Sequence, residues 1–188
     1  MAVEQKAGNT RSTTLSTYVI VSLSAVAAAL AVIYIMSGNR VSKTPVTESL
    51  SGEDAGRISD LKAALAEAPM DPALNLEMGN QFFDLGKYSE SVVYYRRVLE
   101  TDPAHVAARI DLGVCYFNLG LADSALIEMK RSLEIEPDHV KGLFNIGVIY
   151  YNMGEKDQAR QYWEQLIRRH GDSDEAHVAR QMLENIKS

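Results

Sequence analysis

The sequence predicts an all-α fold: a solenoid of stacked helix–turn–helix units, preceded by a separate apolar helix that can cross a membrane. Two observations carry this reading. From Pro72 to Asp172 the chain repeats every ~34 residues, with one glycine column at Gly79, Gly113 and Gly147 and a second at Gly86, Gly120 and Gly154. Matched columns surround them: Met78, Leu112, Ile146; Phe82, Tyr116, Tyr150; Ser91, Ala125, Ala159; Tyr95, Met129, Trp163; and Pro69, Pro103, Pro137. The second observation is the segment Tyr18 to Met36, which carries no charge. Its length, about 19 residues, gives roughly 28 Å of helix against a hydrocarbon core of ~30 Å.

The elements follow in chain order. Residues 1–17 form a short polar tail, and residues 18–36 the transmembrane helix, with Tyr18 and Tyr34 placed as interfacial aromatics are. A cleaved signal peptide is the competing reading of this segment. It fits less well, because the apolar run exceeds the usual length and its Ala-x-Ala match, Ala27 to Ala29, lies inside it. A lipoprotein is excluded, since the only cysteine is Cys115. Lys6 and Arg11 on one side balance Arg40 and Lys43 on the other, so the flanking charges leave the orientation open. Small residues four apart, such as Ser24 and Ala28, would let two such helices approach closely in a homodimer.

Residues 37–52, poor in apolar side chains and rich in Ser, Thr and Gly, have the composition of a flexible tether. Over 53–68, Ile58, Leu61 and Leu65 recur at helical spacing and read as a degenerate half repeat. Three full units then span 72–105, 106–139 and 140–172. Residues 173–188 place Ala176, Ala179, Leu183 and Ile186 on one stripe, as in the capping helix that keeps a solenoid's last face soluble.

Within each unit the punctuation has a physical cause. Gly86, Gly120 and Gly154 follow an apolar helical stretch, where a left-handed residue satisfies the orphan carbonyls of a helix end. Ser89, Asp123 and Asp157, three residues later, are expected to cap the second helix. The mid-helix column Gly79, Gly113 and Gly147 costs about 1 kcal/mol per residue against Ala. Close approach of the paired helices, with Ser91, Ala125 and Ala159 facing the glycines, is the expected compensation.

Charge narrows the function classes. Residues 53–188 carry 15 Lys and Arg against 23 Asp and Glu, while residues 1–52 carry 4 against 2. An acidic domain lacks the basic footprint that phosphate backbones require, so nucleic acid is not an expected partner. The pairs Arg96-Arg97, Lys130-Arg131 and Arg168-Arg169 read as solvated flanks of second helices. No catalytic constellation is present, and the chain is not expected to be an enzyme. His105 and His139 occupy equivalent loops as surface histidines, His170 and His177 lack metal-ligand spacing, and Cys115 has no partner cysteine. No metal and no cofactor are expected.

Over Pro72 to Asp172 the chain resembles the tetratricopeptide repeat (TPR) family in its glycine, small-residue, aromatic and proline columns. It departs where the family usually has Trp, with Asn75, Arg109 and Leu143, and has Ser132 for a small apolar residue and Gly171 for a proline. The resemblance implies a peptide-binding groove lined by the second, fifth, ninth, twelfth and thirteenth positions of each unit. Here those are Ala73, Leu76, Asn80, Phe83, Asp84; Ala107, Ile110, Val114, Phe117, Asn118; and Lys141, Phe144, Val148, Tyr151, Asn152. Such a groove is apolar with an amide edge, suited to an amphipathic helix or extended peptide from another protein. The apolar fifth position does not support the clamp that related domains use for acidic chaperone C-termini. The expected function is a membrane-anchored scaffold or adaptor with its repeats in the bacterial periplasm, an architecture similar to that of cytochrome c maturation and envelope-assembly factors. The alternative is an organelle import receptor that reads amphipathic targeting helices from the cytosol.

Overall fold

The computed structural model describes residues 52–187. The segments predicted as transmembrane helix and tail, and nearly all of the predicted tether, lie outside the described residues. Among the described residues no helix is long and apolar enough to cross a membrane.

Eight helices follow one another without a strand among the described residues: α1 (Gly52–Glu67), α2 (Pro72–Asp84), α3 (Tyr88–Thr101), α4 (Val106–Asn118), α5 (Ala122–Ile135), α6 (Val140–Asn152), α7 (Lys156–Arg169) and α8 (Asp174–Lys187). The pairs α2/α3, α4/α5 and α6/α7 are the three repeat units. Each packs on the next, α1 covers α2, and α8 covers α7 and α6.

The turn inside each unit is set by its glycine. Gly86, Gly120 and Gly154 have φ of +66°, +78° and +82°, the left-handed region a side chain rarely adopts. The N–H of Gly86 donates to the Phe83 carbonyl and that of Lys87 to the Phe82 carbonyl. The same paired bonds recur after Gly120 and Gly154, so all three first helices end in a Schellman motif.

The caps differ from the sequence reading. Ser89, Asp123 and Asp157 lie inside the first turn of α3, α5 and α7, whose N-cap residues Lys87, Leu121 and Glu155 make no side-chain cap. The Schellman turn leaves too short a link for a separate capping residue. Side-chain caps sit instead at the first helices. Asp71 Oδ1 accepts from the Leu74 N–H, His105 Nδ1 from Ala108, His139 Nδ1 from Gly142, and Ser173 Oγ from Ala176. His105 and His139 are therefore half-buried helix caps rather than free surface side chains, and Ser173 continues their spacing into α8.

Mid-helix glycines meet the large residue of the facing helix, not the small one. A Cβ on Gly79 would lie 2.8 Å from the Tyr95 ring, on Gly113 2.9 Å from Met129 Cε, and on Gly147 2.2 Å from Trp163 Nε1. The small column has a smaller part: Ser91 Oγ donates to the Gly79 carbonyl at 2.7 Å, and the Ala125 carbonyl lies beside Gly113.

The core runs as a chain of clusters across the unit boundaries. Ile58, Leu61 and Leu65 of α1 close on Met78 and Phe82, and Ala176, Ala179 and Ile186 of α8 close on Leu143, Trp163 and Leu166. Each unit thus relies on its neighbours, with α1 and α8 ending the stack.

At the usual Trp position three different side chains stand, and the proline-column carbonyl beside them is met in different ways. Asn75 Nδ2 donates to the Pro69 carbonyl at 2.9 Å and Arg109 Nη2 to that of Pro103 at 2.6 Å. Where Leu143 cannot donate, Gln165 Nε2 reaches the Pro137 carbonyl at 3.4 Å. At Gly171 the donor is Arg180 Nη2, at 2.7 Å.

Candidate peptide-binding groove

Successive first helices touch, α4 with α6 and α6 with α8, while no comparable contact joins successive second helices. The first helices therefore line the tighter inner side of the stack. Their exposed face is the natural place for an elongated ligand.

The predicted residues divide there into three groups. Leu76, Phe83, Val114, Phe117, Phe144, Val148 and Tyr151 are half-buried, while Asn80, Asp84, Asn118 and Asn152 are exposed. Ile110 is 2% exposed and belongs to the core with Met129 and Ile146, offering only an edge. Two of the aromatics are also braced from behind. Phe83 stands edge-on to Tyr88 at 5.7 Å and Tyr151 lies 5.8 Å from the Trp163 ring. That bracing fixes their rotamers, so a ligand meets a preordered surface.

The amide edge is partly engaged. Asn80 Oδ1 accepts from the Tyr95 hydroxyl at 2.8 Å, and Asn118 and Asn152 donate Nδ2 to the carbonyls of Val114 and Val148 one turn back. Each amide keeps hydrogen-bonding capacity, though fewer groups face a ligand than the sequence reading assumed.

At the C-terminal end the inner face deepens to a cavity of about 530 Å³ where the N-termini of α4, α6 and α8 converge, lined by Ala107, Ile110, Asp111, His139, Lys141 and Glu175 among others. Burial raises the Asp111 carboxyl above its ordinary range, against the pull of Lys141, His105 and His139. This polar end was not singled out from the sequence; the acidic residue on α4 facing Lys141 on α6 was its only signal.

The remaining chemistry-bearing residues are structural. Cys115 is fully buried and free, and burial pushes its thiol up to about 11, far from a reactive thiolate. Burial likewise pushes the Tyr95 phenol upward, with Asp111 adding to it. Among the described residues no group of His, Cys, Asp and Glu could hold a metal ion.

The fold and inner face define a class: a helical-repeat protein whose stacked hairpins present an elongated surface. Family models described as tetratricopeptide repeat match residues 82–139 and 141–173, so the chain carries tetratricopeptide repeats. No curated protein sequence matches it. Solved structures do. MamA is similar at 20% identity and a TM-score of 0.63, over 72% of this chain and 82% of that one. A tetratricopeptide repeat protein from Parabacteroides merdae gives 22% and 0.65, over 72% of this chain and 54% of that one. The first TPR of Spaghetti (RPAP3), bound to an HSP90 peptide, gives 20% and 0.57, over 62% of this chain and 90% of that one. At these identities the likeness shows the fold.

Proposed function

We propose that this chain is a scaffold or adaptor that holds a segment of a partner protein, an amphipathic helix or an extended peptide, against the inner face of α2, α4 and α6. The observation that carries it is the row Leu76, Phe83, Val114, Phe117, Phe144, Val148 and Tyr151, each packed on the core on one side and only half-buried, so that part of every one stays exposed along the first helices. Protein peptides seated on related folds, as in the RPAP3 domain, support the same reading. Through residues 18–36 the chain is anchored in a bilayer, with the repeats held off it by the tether and facing the periplasm. Its clients are then proteins of envelope assembly or cytochrome c maturation.

A photo-crosslinking side chain placed in turn at Asn118, Asn152 and Ile127 of the full-length protein, in native membranes, tests the groove. Asn118 and Asn152 edge the inner face, whereas Ile127 is exposed on second helix α5. Adducts to one partner from the first two positions and none from Ile127 are expected; adducts from Ile127 alone would remove the groove from the account. A reporter fused after Ser188 fixes the side of the membrane, and a cytosolic signal would sink the periplasmic placement.

A further inference from the structure

Three successive units present the same pair of positions, one on the first helix and one on the second, and one pair breaks the pattern. Phe82 stacks on Tyr94 at 5.5 Å and Tyr150 on Tyr162 at 5.8 Å. One period from each the pair is Tyr116 and Glu128, which line one cleft, and among the described residues no ring stacks on Tyr116. The missing ring leaves a cleft of about 480 Å³ between α3 and α5, floored by α4. Its lining includes Arg96, Arg109, Arg131, Glu100, Glu128 and Tyr116.

The charges there are unevenly satisfied. Glu128 carries two guanidiniums, Arg109 through one oxygen and Arg131 through the other at 3.1 Å. Arg109 is 9% exposed, and its Nε has no partner. Among the described residues Arg96 makes no ion pair, and the Tyr116 hydroxyl makes no hydrogen bond. Three guanidinium forks and two carboxylates thus line the cleft together with a half-buried tyrosine on which no ring stacks. Guanidinium matches the planar bidentate geometry of phosphate, and a tyrosine face without a ring takes a flat ring system by stacking.

From this juxtaposition we propose that the cleft binds a small molecule carrying a phosphate on a flat heteroaromatic ring, the chemistry of a mononucleotide. The ring lies on Tyr116, where Tyr94 and Tyr162 put a ring in the other units. The phosphate takes Arg96 and the outer N–H groups of Arg131, and Glu100 is placed to accept from the ligand's donors. The acidic balance of the domain does not decide against an anion here. Charges beyond ~8 Å are largely screened at physiological salt, so the adjacent guanidiniums dominate. This site, between α3, α4 and α5, shares no lining residue with the peptide groove and stands or falls independently of it.

The test is calorimetric and NMR titration of the full-length protein with adenosine monophosphate, inorganic phosphate and adenosine. The nucleotide is expected to bind at least about tenfold tighter than either fragment, with Arg96→Ala losing about tenfold, the scale of one bidentate contact. Because truncating Glu128 alone strands Arg109, the cleft is closed with Arg109→Leu and Glu128→Tyr together. These copy Leu143 and Tyr162 of the neighbouring unit, where the same pair packs, and binding should vanish while the protein stays folded. Equal affinity for phosphate and nucleotide, no saturation at millimolar nucleotide, or undiminished binding by the double variant would each overturn the proposal.

Discussion

The seam between α3 and α5 and the seam between α5 and α7 share one backbone pattern but solve their packing in opposite ways. The later seam is filled by Leu143, the Tyr150/Tyr162 stack and Lys130, whose ammonium lies 5.4 Å from the Tyr150 ring centroid. The earlier one places Arg109, Glu128 and an unstacked Tyr116 at the matching positions and leaves a cleft. The repeat therefore fixes helices and turns, while the content of each seam is free to vary. Apolar filling stabilises by area and ring contact; a buried ion pair largely offsets its own desolvation and leaves polar space that a ligand can use.

Breaking the polar seam should have the largest effect. Glu128→Ala leaves Arg109 buried with one neutral partner, and a loss of about 3–4 kcal/mol is expected in urea unfolding. The double change Arg109→Leu with Glu128→Tyr should recover most of it. If Glu128→Ala were silent, Arg109 would be reaching water and the contrast between seams would fail.

Gly147→Ala comes next, at about 3 kcal/mol, because the new methyl meets the rigid Trp163 indole, whose Nε1 donates to the Phe144 carbonyl. Gly113→Ala meets the flexible end of Met129 and should cost less, about 1 kcal/mol. Equal costs would show that both units yield alike.

Removing a helix cap is a smaller step. His139→Ala should lower stability by about 1 kcal/mol, and His139→Asp, which keeps an acceptor for the Gly142 N–H, should restore it. No recovery would mean that the imidazole acts through packing instead.

The smallest expected effect has the opposite sign. Because the folded Asp111 carboxyl is raised, the folded state holds its proton more tightly, and stability from this group is lost as pH rises through its folded value. Asp111→Asn should therefore raise the melting temperature slightly at pH 7, with the gain disappearing as the pH falls below about 4, the ordinary carboxyl value. A melting temperature lowered at pH 7 would show that attraction to Lys141 outweighs desolvation.

How far the molecule was legible depended on the range of the interactions. Gly86, Gly120 and Gly154 were read correctly because a positive φ at a helix end is a property of a few adjacent residues. The caps were misplaced because Ser89 and Asp123 have the right chemistry two residues too late, already inside the first turn. His105 and His139, poor capping types by rank, were found only by their contacts. The signal was present in the 34-residue spacing Asp71, His105, His139, Ser173, whose first and last members are ordinary N-caps. In the groove, the alternation of half-buried and exposed positions was legible; the burial of Ile110 and the engagement of Asn80 by Tyr95 were not.

By itself the sequence determined the period, the helix–turn–helix unit, the left-handed glycines and the apolar stripes of α1 and α8, since these follow from local backbone sterics and side-chain spacing. Only the tertiary structure decided that Arg109 is buried against Glu128 and the Pro103 carbonyl, that the glycines face Tyr95, Met129 and Trp163, and that one seam is empty where its neighbour is stacked. Those outcomes depend on which side chains the superhelix brings together across unit boundaries. A charged residue in a helix reads as solvated until its neighbours are known.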